Sequence, residues 1–435
     1  MSLLSDIATR TLVSFAQSTI LSVLQKITYG RLHIILKESQ GSRAWTFGQE
    51  PGNKDDPEVT LTVLDDSIWM RLCLNLDVGF AEAYMLRQIE ISNLQDLFVL
   101  YIHNWDAISN GSYLAQTIPK LLRLVIQSTN DPANALRNAS FHYDASNELF
   151  CAFLSPDMNY SCAIWDPANH TESLEAAQQR KVHNIISNAR IEPTHHVLDI
   201  GCGWGHLAIE AVKRTGCRVT GITLSKEQKA LAEKRIAAAG LQDKIKILIC
   251  DYRDVPIVPG GYDRVVSVEM IEHVGRAHMS SFFSCISELL NPTTGIMVVQ
   301  SITIMNKIYD SRGGDNFLDV YIFPGGDLPC VSVLSEAINT GSKRTLEVET
   351  IQSIGPHYAK TLRSWRENFE INWERIRKQY LENHPGTDEQ QVEPYRRRWI
   401  YYFTYCEAGF RTNILGDHVI TAVRRPQPIP ADVPL

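Results

Sequence analysis

The sequence predicts an α/β protein, a doubly wound parallel sheet with a smaller α+β domain ahead of it. Three observations carry this: strands and helices alternate from His196 onward, a Gly-rich turn sits between the first such strand and helix, and the first 126 residues follow a different, mixed pattern. A chain of 435 residues exceeds one small core, so two domains are expected. The expected boundaries are 1–126 for the first domain, 127–140 for a polar, proline-bearing linker (within "QSTNDPANALRNAS"), and 141–435 for the second.

In the opening segment Leu12, Phe15, Thr19, Val23 and Ile27 fall near helical spacing, which predicts a helix packed on its own domain. The segment carries no uncharged run long enough to span a membrane and no convincing signal peptide. "GRLHIILKE", "SRAWTFG" and "VTLTVLDDSIWMRLCL" read as strands, "GFAEAYM" and "LQDLFVLYIHNW" as helices. The order then becomes regular. "HVLDIG" (strand), "HLAIEAVKRTG" (helix), "RVTGITL" (strand), "KEQKALAEKRIAAAG" (helix), "IKILICD" (strand), "YDRVVSVEM" (strand), "MSSFFSCISELL" (helix) and "GIMVVQSITI" (strand) follow one another. Ligands of such sheets lie beyond the carboxyl ends of the strands.

A net charge of −7 excludes a broad nucleic-acid footprint. Nine scattered cysteines without a C-x-x-C pair suggest a reducing compartment, so the expected location is cytoplasmic, with a peripheral membrane contact left open. No metal is implied, because His273 and His278 do not form the H-E-x-x-H arrangement. The "RRRW" run, Arg396 to Trp399, reads first as a solvated helix face and second as a lipid-phosphate contact.

The turn "LDIGCGWGHLAIEAV", with Gly201, Gly203 and Gly205, suits dehydrogenases and methyltransferases alike. Asp199 separates the two. A carboxylate just before the turn repels a dinucleotide pyrophosphate, whereas a cationic ligand such as S-adenosylmethionine welcomes it. The second strand ends in Thr223 with no acid to grip a ribose, and Asp251 follows the third, where it could accept from an adenine amino group. Helix or turn capping is the alternative for both aspartates, and it ranks below ligand binding because both sit at strand ends around one glycine turn.

"YSCAIWD", "VLDIGCGWG", "GITLSKEQ", "DYRD", "MIEHVG", "YIFPGGDLP" and "YCEAGFR" occur in an order and spacing that resembles the cyclopropane-fatty-acyl-phospholipid synthase family, which includes mycolic acid cyclopropane synthases. The resemblance runs over residues 130–425 and more loosely over the first domain, which it marks as lipid-handling. It implies a class I, Rossmann-like methyltransferase domain that uses S-adenosylmethionine to add a methylene across a cis double bond of a lipid acyl chain. It also implies an unsaturated phospholipid or other alkene-containing lipid as substrate, and a homodimer.

Carried over by motif, the cofactor is expected at Tyr160 and Ser161, at Asp199, Gly201, Gly203, Trp204 and Gly205, at Thr223, Leu224 and Gln228, and at Asp251, Tyr252 and Arg253. Methyl transfer to an alkene leaves a carbocation, so a dry site with one base is needed. In the family that base is a bound bicarbonate held by a Cys, a Glu, a His, a backbone group and a Tyr. The matching positions are Cys162, Glu272, Gln300 in place of the His, Ile302 and Tyr358. Tyr143, Trp165 and Tyr402 are candidate aromatic faces for the cation, and Glu407 a further carboxylate. The Gln300 departure leaves a second outcome open, a C-methyltransferase acting on an alkene of a specialised metabolite or sterol-like lipid.

Overall fold

The structure, a computed structural model, describes residues 2–38, 41–74, 76–109, 146–311 and 316–425. The chain divides by compactness into two units that are interleaved along the sequence: 1–144 with 313–324 and 373–412, and 145–312 with 325–372 and 413–435. Tyr143 and residues 127–140 lie outside the described residues.

The first unit holds a four-stranded sheet, β1 (Arg31–Glu38), β2 (Gly41–Gly48), β3 (Glu58–Val63) and β4 (Ile89–Ile91), in the order β2-β1-β3-β4. β1 buries Leu32, Ile34 and Leu36 on one face, the period-2 pattern its sequence dictates. The stretch read as one long strand from Val59 divides. β3 ends at Val63, and Ser67–Leu74 is a helix whose first N–H groups are met by Asp65, with Ser67 N donating to its Oδ1 at 2.9 Å.

The opening helix, Ser2–Leu24, packs on this unit as expected, but its phase is shifted by about one residue. Ala16 is buried and Val13, Ile20, Val23 and Leu24 flank it in the core, while Phe15 is 69% exposed. Two other segments complete the unit. Phe317–Tyr321 and the helix Glu389–Arg411 place Phe317 and Tyr401 in edge contact at 4.5 Å, and Tyr401 meets Phe98 at 5.1 Å.

The "RRRW" run is not a solvated face. Arg397 Nε donates to Tyr84 O at 2.6 Å, Arg396 lies over Trp373 at 5.4 Å and Arg398 over Tyr395 at 5.1 Å. Planar guanidinium groups shed water readily and stack on rings, so three arginines can line a packed interior where lysines would not.

Buried Asn104 ties this unit's loops together: its Oδ1 accepts from Thr28 N and Tyr29 N at 2.8 and 3.1 Å, and its Nδ2 donates to Tyr29 O and Leu100 O. Asn104→Ala strands these backbone groups and is expected to cost about 3 kcal/mol. A urea midpoint unchanged from that of the native chain would refute this.

The second unit is built on seven strands: β5 (His196–Ile200), β6 (Arg218–Thr223), β7 (Ile245–Ile249), β8 (Arg264–Val268), β9 (Ile296–Ile304), β10 (Leu346–Ser353) and β11 (Leu415–Arg424). Their order is β10-β11-β9-β8-β5-β6-β7, and β11 runs antiparallel to both β10 and β9. The five strands read from the sequence all form as expected. Leu198, Val265, Met297 and Ile420 meet Phe282, Phe283, Ile286 and Ile338 in a continuous core. Connections run outward from β5 to β6 and β7, then return to β8 on its other side. The switch point, where ligands of open sheets sit, therefore lies between the carboxyl ends of β5 and β8.

Candidate active site

At the end of β5 the chain turns through Gly201, Gly203 and Gly205, with φ of +79°, +52° and +79°, a region closed to most side chains. A Cβ on Gly201 would strike Met270 Cγ at 2.9 Å, whereas one on Gly203 would enter open space. Gly205 starts the helix His206–Thr215 with no side-chain cap, which leaves the first N–H groups and the positive end of the helix dipole without a capping oxygen.

Asp199 is 2% exposed, and its Oδ2 has no hydrogen-bond partner. Burial pushes its carboxyl up to about 7, against which the nearby Lys181 ammonium pulls down. A buried acid with an unpartnered oxygen, at the start of a turn with an open glycine, is a seat prepared for a cation.

The other expected cofactor residues are partly brought together here. Ser161 Oγ accepts from Lys181 Nζ at 2.8 Å, and Tyr160 stands in an aromatic cluster with Phe150 at 5.1 Å and Trp365 at 5.2 Å. Trp204 is anchored by Nε1 donating to Asn147 Oδ1 at 2.8 Å, and its ring meets Phe150 at 5.1 Å.

Thr223 Oγ1 donates to Gln228 Oε1 at 2.7 Å, and Leu224 is 71% exposed. Asp251 receives Arg253 through Nε at 2.7 Å and Nη2 at 3.0 Å, which lowers its carboxyl. Arg253 lies 5.4 Å over the Tyr252 ring. Asp251 thus also caps its own short turn, accepting from Arg253 N at 2.9 Å.

The residues expected around the base converge on a group the sequence reading missed. Glu269, the first residue after β8, has φ +47° and is half-buried. Its Oε1 accepts from Cys162 N at 2.7 Å and Gln300 Nε2 at 2.8 Å, and its Oε2 accepts from Tyr358 OH at 2.5 Å. Gln300 Nε2 also reaches Asp417 Oδ2 at 3.1 Å.

Glu272 and Ile302 pair with each other: Ile302 N donates to Glu272 Oε1 at 2.6 Å and Ser301 Oγ to the same oxygen at 3.1 Å. Burial, then the charge of Glu269, raises the Glu272 carboxyl to about 8. Burial and Glu269 likewise push Asp417 well above the usual carboxylate range.

Lys181 was also missed. It is fully buried on the helix Leu174–Asn188, with Nζ donating to Asn159 Oδ1 at 3.1 Å and Ser161 Oγ at 2.8 Å. A lysine between Ala177 and Ile185 on the apolar stripe of that helix was the available signal.

Trp165 does not offer a free face. Lys360 Nζ lies over its ring at 4.0 Å, and its Nε1 donates to Thr361. Tyr402 and Glu407 belong to the other unit, where Tyr402 packs against Phe323, Trp399 and Phe403.

The chain is similar to known proteins in sequence and in fold. The family described as mycolic acid cyclopropane synthetase matches residues 130–419. The chain is 36% identical over 359 residues to the tuberculostearic acid methyltransferase UfaA1 of Mycobacterium tuberculosis, covering 81% of this chain and 80% of that protein. It is 36% identical over 270 residues to the cyclopropane-fatty-acyl-phospholipid synthase of Escherichia coli, covering 62% of this chain and 63% of that one.

Among solved structures, mycolic acid cyclopropane synthase CmaA1 complexed with SAH and CTAB aligns with a TM-score of 0.56 at 29% identity, over 66% of this chain and 98% of that one. With the seven-stranded sheet and its glycine turn, these matches show that the chain belongs to the mycolic acid cyclopropane synthetase family and is an S-adenosylmethionine-dependent C-methyltransferase-type enzyme of the class I fold.

Proposed function

We propose that the enzyme transfers a methylene unit from S-adenosylmethionine to a cis double bond of a lipid acyl chain, through a carbocation that loses a proton as a cyclopropane closes. The observation that carries this reading is the pairing of two unlike acid sites at one switch point. The buried, unpartnered Asp199 oxygen suits a cationic donor, and a cluster of carboxyls after β8 suits proton removal.

S-adenosylmethionine, when bound, supplies an electrophilic methyl group. Asp199 would hold its positive charge, Gly203 would leave room for it, and the Phe150, Tyr160 and Trp365 rings would keep water away. An isolated alkene is a weak nucleophile, so orientation and dryness must supply much of the rate.

The lipid class is supported by the names of the relatives above. The acyl chain would be met at a membrane surface by peripheral contact, and none of the described helices is long and apolar enough to cross a membrane. A second outcome, a methyl or methylene branch in place of the ring, is supported by the match to a protein named as a methyltransferase, the tuberculostearic acid methyltransferase. Bicarbonate fits the site poorly. Cys162 N–H, Gln300 and Tyr358 already donate to Glu269, and Ile302 N–H to Glu272, so the donors that would hold that ion are engaged.

The test is gas chromatography with mass spectrometry of fatty acid methyl esters from bacteria that lack cyclopropane lipids and express this chain, beside an Asp199→Ala control. A new acyl species heavier by one CH2 and saturated, absent from the control, is expected. A heavier species that keeps a double bond would move the reading to the branched product. An unchanged profile from soluble chain that binds the cofactor would overturn the lipid assignment.

A further inference from the structure

We propose that Glu269 is the catalytic base of this enzyme, its carboxylate seated on Cys162 N–H, Gln300 Nε2 and Tyr358 OH and taking the proton that the carbocation releases, with no bound carbonate species. The inference rests on the reading of the reaction given above. Three features of the structure single out this residue.

Position is the first. Glu269 follows β8 directly, and the next residue, Met270, packs on Gly201 of the cofactor turn, so the carboxylate and the donor cradle share the switch point. Lys181 is electrostatically coupled to both acids, pulling Asp199 down while Glu269 pulls the lysine up.

Conformation is the second. A glutamate at φ +47° adopts a backbone normally left to glycine, and such strain is kept where the side chain must be aimed. Three donors aim it.

The third is contrast with its neighbours. Glu272 is 6% exposed, already accepts from Ser301 and Ile302, and is raised to about 8, so at neutral pH it holds its proton. Asp417 is fully buried, pushed well upward, and hydrogen-bonded to Glu269. Glu269 alone of the three is half-exposed, with both oxygens accepting.

The alkene π pair forms the new C–C bond to the methyl carbon, and the C–S pair leaves on sulfur, giving S-adenosylhomocysteine and a carbocation. Glu269 then takes one proton from the new methyl group, and the freed C–H pair closes the ring. For the branched outcome the proton comes from the same methyl and the pair forms an exocyclic double bond. Either way Glu269 ends protonated and returns the proton to solvent.

The experiment uses the full chain and two variants, Glu269→Gly and Glu269→Gln. Glycine is at ease at this φ, so the first opens the seat without straining the fold, and glutamine keeps the shape but cannot take a proton. Turnover of S-adenosylmethionine with an unsaturated phospholipid is measured in carbonate-free buffer and with added bicarbonate. Binding of 13C-labelled bicarbonate is followed by NMR line width.

The native chain is expected to turn over equally in both buffers and to leave the labelled line sharp. Both variants are expected to lose about 100-fold or more in turnover, as for loss of a general base, while keeping cofactor affinity. Added bicarbonate is expected to broaden the line and restore part of the rate with Glu269→Gly only.

Saturable stimulation of the native chain by bicarbonate, line broadening with it, or full turnover by Glu269→Gln would each overturn the proposal. Absence of any transfer by the native chain, with S-adenosylmethionine bound, would instead show that the lipid reading has failed. The labelled-bicarbonate arm then still decides whether Glu269 fills the anion seat, because it needs no lipid.

Discussion

An Asp199→Asn variant is expected to bind S-adenosylmethionine about 100-fold more weakly than the native chain, while melting at the same temperature or higher. The two effects have one cause. In the free protein the buried Oδ2 lacks a partner, so the carboxyl sits at about 7 instead of its ordinary 3.8. A folded state that holds a proton the unfolded chain has released loses stability as pH rises between those two values. Asparagine removes that cost but leaves a cationic ligand without its counter-charge, a loss of roughly 3 kcal/mol.

A pH signature accompanies this. Below about pH 7 the cation must displace a proton, so affinity should rise about tenfold per pH unit up to that point and level off above it. Calorimetry in buffers of different ionisation enthalpy would show about one proton released per ligand in mild acid, and none with Asp199→Asn. Equal affinity of the two chains at pH 8 would remove Asp199 from the donor site.

Lys181→Met should destabilise the second unit by about 3 to 5 kcal/mol, because it strips a buried charge from partners that stay behind. Its ammonium holds Asn159 and Ser161 and faces Asp199 and Glu269. Burial pushes the ammonium itself downward, and Glu269, Asp157 and Asp417 hold it up. A merely structural lysine would change the melting temperature alone. Because this one also lowers the Asp199 carboxyl, its loss should move the pH midpoint of cofactor binding upward. A midpoint unmoved in a folded variant would confine Lys181 to packing.

Five strands of the second sheet, β5 to β9, were legible because they are continuous apolar runs from Val197 to Ile304, whereas β10 and β11 were not read. The Asp199 turn was legible for the same reason. Glu269 was not, since "SVEM" reads as any strand end. What distinguishes it is a positive φ and three donors drawn from Cys162, Gln300 and Tyr358, residues 31 to 107 positions away in sequence.

The division at Val63 was missed although its cue was present: Asp65 and Ser67 are helix-start residues, and they end the strand. The phase of the first helix was missed because Phe15 and Ala16 compete for the core and only packing favours the smaller one.

The interleaving of the two units also sets a timetable for synthesis. Phe80, Tyr84 and Phe98 emerge from the ribosome early, yet the ring they pack against is Tyr401. At about 5 to 20 residues per second, roughly a quarter to a full minute separates them. During that interval the first sheet and its helices carry an uncovered aromatic face, so the nascent chain is most exposed to aggregation and chaperone capture before its last helix is made.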